Sequence, residues 1–86
     1  MQFCPTWGYF KPEGTPRAGM EVVELTREEI EALRLRNIKG FNQTEAAGKM
    51  AISQSTYQRI LTSANKKVTE ALIKGKTIKL INKNHL

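Results

Sequence analysis

The stretch Gln43–Ile60, QTEAAGKMAISQSTYQRI, decides the reading of this chain. Counted from Gln43, the residues Ala46, Ala47, Met50, Ile52, Tyr57 and Ile60 fall where two short helices crossing at a steep angle need packing side chains. Ala47 is the small residue at the closest approach. Met50 and Ile52 flank the turn, and Tyr57 and Ile60 face back from the second helix. This is helix-turn-helix spacing. In DNA-binding proteins of this kind the second helix enters the major groove while the first spans the backbone. The stretch therefore predicts a binding module rather than a catalyst.

Downstream of Ser53, which caps the second of these helices, the series Tyr57, Ile60, Leu61, Ala64, Val68, Leu72 keeps one helical face apolar for about five turns. Gly75 ends the helix. Upstream, Asn42 and Glu45 form a cap pair that starts the first helix near Gln43 and lets it run to Met50. A further helix begins at Thr26, with Glu29 at the reciprocal capping-box position and Glu28 and Glu31 complementing the helix dipole. Its apolar side is Ile30, Leu33, Leu35 and Ile38, and Gly40 supplies the stop. Residues 20–25 and 76–81 read as short strands, and 82–86 as a polar tail. Glu21 and Glu24 in the first strand complement Lys76 and Lys79 in the second, which favours pairing within one chain or between two.

Residues 1–19 hold all three prolines (Pro5, Pro12, Pro16) with Gly8, Gly14 and Gly19, a composition that predicts an extended arm without helix. Phe3, Trp7, Tyr9 and Phe10 make that arm too apolar to leave exposed, so docking on the domain is expected. The fold class predicted is mainly α: a three-helix helix-turn-helix domain with an extended N-terminal arm and two short flanking strands.

The chain has 86 residues, enough for one domain with a small core. Its formal charge of +6 is unevenly placed. Residues 1–45 are nearly neutral, whereas residues 46–86 hold Lys49, Arg59, Lys66, Lys67, Lys74, Lys76, Lys79 and Lys83 against Glu70 alone. Such asymmetry suits a polyanion, because each neutralised phosphate releases condensed counterions; a solvated lysine-rich surface is the plainer alternative. Cys4 and His85 are single and lie at opposite ends, so no zinc site is expected within one subunit, and a lone thiol fits a reducing cytoplasm. Neither a signal peptide nor a membrane-spanning run of about 20 apolar residues is visible. No cofactor is expected, and no nucleophile–base pair or carboxylate pair suggests catalysis.

With Tyr57, Ile60, Leu61 and Ala64 turned inward, the opposite helix face displays Gln54, Ser55, Gln58, Arg59 and Thr62 as candidate base readers. Arg59 can fork onto guanine O6 and N7, and Gln54 or Gln58 can pair with adenine N6 and N7. Lys49, Ser53, Lys66 and Lys67 are the candidate phosphate contacts. Since one such module reads only a few base pairs, a homodimer is expected on duplex DNA.

Two resemblances arise at these residues. Thr26–Leu61 resembles the C-terminal promoter-recognition region of bacterial sigma factors, through E-A-L-R-L-R at Glu31–Arg36 followed by Gly40. Nearly the whole chain resembles uncharacterised protein family 0251. The carrying segments are F-K-P-E-G-T-P at Phe10–Pro16, E-I-E-A-L-R-L at Glu29–Leu35, Gln43 with E-A-A at Glu45–Ala47, M-A-I-S at Met50–Ser53, and Ala71–Leu72 with Gly75–Lys76. That resemblance implies a DNA-binding protein with a sigma-like helix-turn-helix. Alternatives are a sigma-like module that binds polymerase or another regulator through the first helix and the arm, and a binder of RNA or single strands. One position departs from the pattern: the turn residue usually held by glycine is Ala51, where a positive φ would cost about 1 kcal/mol.

Overall fold

The computed structural model describes residues 8–12 and 21–81, so the expectations for Phe3, Trp7 and the tail 82–86 lie outside the described residues. The chain is mainly helical. Among the described residues three helices, α1 (Arg27–Leu33, prolonged by a wider turn over Arg34–Ile38), α2 (Gln43–Met50) and α3 (Gln54–Lys74), accompany the strands β1 (Tyr9–Phe10), β2 (Val22–Leu25) and β3 (Thr77–Leu80).

Each helix starts at a side chain that satisfies its orphan backbone donors. Thr26 Oγ1 accepts from the Glu29 amide at 3.2 Å while the Thr26 amide donates to Glu29 Oε1 at 2.9 Å. Asn42 and Glu45 repeat this reciprocal pair on α2, at 2.8 and 3.0 Å. Ser53 Oγ accepts from the Thr56 amide at 3.1 Å at the head of α3.

The helices stop in left-handed residues: Gly40 (φ 76°), Ala51 (φ 58°) and Gly75 (φ 69°). After α2 the Ile52 amide reaches back to the Ala47 carbonyl and the Ala51 amide to that of Gly48, both at 3.1 Å. This is a Schellman closure with a Cβ at the position that favours glycine. The departure noted in the sequence thus occupies strained backbone.

Two apolar residues are not where helical spacing put them. Ile38 is 78 % exposed, although it was expected on the inner side of the first helix. Over Arg34–Ile38 the hydrogen bonds lengthen in span, with the Lys39 amide donating to the Arg34 carbonyl at 3.0 Å and the Phe41 amide to that of Leu35 at 3.1 Å. This π-helical turn rotates less per residue than an α-helix, so a side chain three positions after buried Leu35 no longer returns to the same face. Leu72, expected on the α3 stripe, is 74 % exposed; Ala71 is buried in its place.

The core joins α1, its π turn, α2 and α3: Ala32, Leu35, Ala46, Ala47, Tyr57 and Leu61 are buried together, with Met50, Ile52 and Ile60 packed against them. Tyr57 is wholly buried, and its hydroxyl donates to the Ala32 carbonyl at 2.9 Å. Burial pushes the Tyr57 phenol up, against a smaller opposing effect of Arg36.

The strands pair within the chain, in the order β1-β3-β2. β2 runs parallel to β3 with Glu24 opposite Lys79, and β1 runs antiparallel to β3 with Tyr9 opposite Lys79. The charge complementarity read from the sequence therefore has an intrachain outlet, reinforced by Lys76 Nζ at 3.2 Å from Glu21. Two flanking strands were expected; the third, from the arm, closes the free edge of β3.

Candidate functional site

The first turns of α3 are set by the Ser53 cap and by Tyr57 and Leu61, which fix the rotation of the helix against the core. Once those residues point inward, Ser55, Arg59, Thr62 and Lys66 recur at spacings of four, three and four along the outer face, with Gln54 and Gln58 beside them. All six are exposed. Among the described residues neither Arg59 nor Lys66 is paired with a carboxylate, so both keep their full hydrogen-bonding capacity. The outer face thus presents two cations and four polar side chains.

The other candidates differ. Ser53 is exposed, yet its hydroxyl is engaged in the cap: it accepts from the Thr56 amide, donates to Thr56 Oγ1 at 2.8 Å and lies 3.3 Å from Ser55 Oγ. Lys49, in the last turn of α2, is exposed, and its ammonium stands 5.3 Å from the centre of the Phe41 ring.

Lys67 is not on the outer face. Its Nζ lies 3.0 Å from Glu29 Oε1 and donates to the Glu24 carbonyl at 2.8 Å, tying α3 to α1 and β2. Glu29 Oε2 also accepts from Ser63 Oγ at 2.6 Å. Burial alone would raise the Glu29 carboxyl, but the bonds from Ser63, the Thr26 amide and Lys67 hold it below the usual carboxylate range. Glu29, read from sequence as a capping residue, is that and also the hub of a tertiary network. The signal for it was present in Ser63 and Lys67, four apart on α3, but nothing local pointed them at Glu29.

Farther along, Glu70 accepts from Lys76 at 2.9 Å and pairs with Lys74 at 3.6 Å, which draws its carboxyl below the usual range. The basic half of the chain is therefore divided. Lys67, Lys74 and Lys76 serve the fold, whereas Arg59 and Lys66 face solvent.

One contact at the outer face was not anticipated. Gln43, the first residue of α2, donates from Nε2 to Oε1 of Gln58 on α3, and Gln58 Nε2 in turn donates to Thr62 Oγ1 at 3.3 Å. The sequence marked Gln43 as the start of a helix and as part of the family resemblance, with no contact to α3.

An apolar groove of about 490 Å³ runs between α1, β1, β3 and the distal half of α3; Phe10, Leu33, Ile38, Val68 and Ile78 are among its walls. Among the described residues no three His, Cys, Asp or Glu side chains converge to hold a metal ion, and no helix is long and apolar enough to cross a membrane.

Comparison with known proteins places this chain in a family. A family model described as a protein of unknown function, DUF134, matches residues 1–84. A UPF0251 protein of Desulforudis audaxviator is 46 % identical over 80 residues, which cover 93 % of this chain and 52 % of that protein. One from Clostridium botulinum strain Loch Maree is 48 % identical over 80 residues, covering 93 % and 51 %. One from Caldanaerobacter subterraneus is 44 % identical over 81 residues, covering 94 % and 69 %. The chain spans about half to two thirds of the length of these curated relatives. No solved structure matches it.

Proposed function

This chain belongs to the DUF134 family, and we propose that it acts there as a sequence-specific binder of double-stranded DNA, a transcriptional regulator built on a helix-turn-helix. The observation that carries the reading is the outer stripe of α3, Ser55–Arg59–Thr62–Lys66, in which both cations are exposed and unpaired among the described residues. α3 is the recognition helix and α2 crosses the backbone. Gln54, Ser55, Gln58, Arg59 and Thr62 read base edges, with Arg59 forking onto guanine O6 and N7. Lys49 and Lys66 contact phosphate, whereas the Ser53 hydroxyl is committed to the cap of α3 and Lys67 holds the fold together.

Two copies are proposed per site, because a single module of this kind buries only roughly 600–1,000 Å² on DNA. Selection from a random duplex pool tests the whole reading. The expected outcome is a preferred site in two half-sites about 34 Å apart, bound with a steep salt dependence. A single unrepeated site would remove the dimer, and no retention on any duplex would remove DNA binding.

The apolar groove favours a second reading, a sigma-like module whose first helix and arm strand seat a partner protein such as polymerase or another regulator. Retention on duplex DNA that competes with no protein partner would leave only the first.

A further inference from the structure

The Gln43–Gln58–Thr62 chain of hydrogen bonds deepens the DNA-binding reading and rests on it. A free glutamine on a helix surface samples several rotamers and both amide orientations, so it reads a base only after losing that freedom. Here Gln58 is fixed at both ends of its carboxamide. Its oxygen accepts from Gln43 across the gap between α2 and α3, and its nitrogen donates to Thr62 one turn farther along α3. The backbone of Gln43 is set by the reciprocal Asn42–Glu45 cap directly before it.

The remaining capacity of Gln58 decides what it can read. A carboxamide has two N–H donors and an oxygen with two lone pairs. One donor is used on Thr62 and one lone pair on Gln43, which leaves one donor and one acceptor on the same carboxamide. In the major groove that pair matches adenine, which offers N7 as acceptor and the N6 amine as donor. Guanine offers two acceptors there and leaves the Gln58 oxygen facing another oxygen. We propose that Gln43 is a positioning residue that locks the Gln58 carboxamide through this bond, and that the locked group reads adenine.

Because Gln43 acts through Gln58, its effect is confined to one base pair. Gln43→Ala and Gln43→Met remove the bond, the second keeping most of the aliphatic stem; both residues suit the first turn of a helix, and thermal melting checks that each variant folds. Binding is measured on duplexes carrying each of the four base pairs at every position of the site selected by the wild-type chain. The Gln58→Ala variant should lose its adenine preference at one position by about tenfold or more. Either Gln43 variant should lower the preference at that same position by about fivefold, leave other positions alone, and change affinity for unselected duplex by less than about twofold. In the Gln43→Ala/Gln58→Ala double variant the Gln43 change should have no further effect.

An unaltered adenine preference in the Gln43 variants overturns the proposal, as does a loss spread over all positions or one that adds to Gln58→Ala. A wild-type chain that selects a site in which Gln58→Ala changes no base preference overturns this assignment while leaving DNA binding intact. A wild-type chain that binds no duplex overturns both.

Discussion

Lys66 and Lys67 are consecutive residues of one helix with identical chemistry and opposite employment. Lys67 leans back across α3 onto Glu29 and the Glu24 carbonyl, whereas Lys66 stands in the outer stripe with Arg59. A step of one residue turns a helix by about 100°, enough to move an ammonium from an intramolecular carboxylate to solvent. Helix α3 therefore has a face that builds the domain (Tyr57, Leu61, Ala64, Ser63, Lys67) and a face free for a partner (Ser55, Arg59, Thr62, Lys66). Net charge does not distinguish the two. Pairing does.

The contrast breaks first, and most visibly, if substitutions on the two faces have like effects. Leu61→Ala should lower unfolding stability by about 2–4 kcal/mol, since it leaves a cavity under α1 and α2. Arg59→Ala should leave urea unfolding within about 0.5 kcal/mol of the parent but weaken binding to the preferred duplex by about 1–3 kcal/mol. Equal loss on preferred and random duplex would make Arg59 a phosphate contact. A destabilised Arg59→Ala would contradict the division of faces.

The two lysines sharpen it. Lys67→Ala should cost about 1 kcal/mol in stability, because Glu29 keeps its bonds from Ser63 and Thr26, and should leave the salt dependence of duplex binding alone. Lys66→Ala should do the reverse, with stability unchanged and the slope of log affinity against log salt shallower by about one unit. If both lysines flatten the slope, Lys67 leaves Glu29 when DNA binds.

Acid should act on the inner face. The folded Glu29 carboxyl lies below its ordinary value of 4.5, so on acidification the unfolded chain takes up the proton first. The stability owed to Glu29 is thus complete above that value and disappears as pH falls through the lower, folded one. Urea midpoints measured between pH 6 and pH 3 should fall more gently in Glu29→Gln than in the parent. Glu31, lowered by its bidentate bond from Arg34, and Glu70, lowered by Lys76, keep part of the slope in that variant.

The smallest expected effect tests the turn between α2 and α3. Ala51→Gly should raise stability by roughly 0.5–1 kcal/mol through relief of the left-handed Cβ, with base preference unaltered. A destabilised glycine variant would mean that the side chain contributes packing that outweighs the strain.

What was legible in the sequence was what depends on near neighbours. The caps at Thr26, Asn42 and Ser53 join residues three apart, and the stops at Gly40 and Gly75 are properties of single residues. Short-range geometry is set by the local backbone, so pattern suffices. The inner face from Ala46 to Leu61 followed from helical periodicity for the same reason.

Tertiary structure decided the rest. The π turn at Arg34–Ile38 moved Ile38 into solvent by changing the rotation per residue, which no fixed period anticipates. The arm supplied a third strand because β3 had an open edge once β2 was paired on the other. Lys67 found Glu29 across 38 residues of sequence, and Gln43 found Gln58 across 15. The order of residues placed the positive charge in the second half of the chain; the packing of α3 against α1 determined that Lys67 was consumed by the fold while its neighbour Lys66 was left facing solvent. Charges are counted along the sequence, but they are neutralised through space.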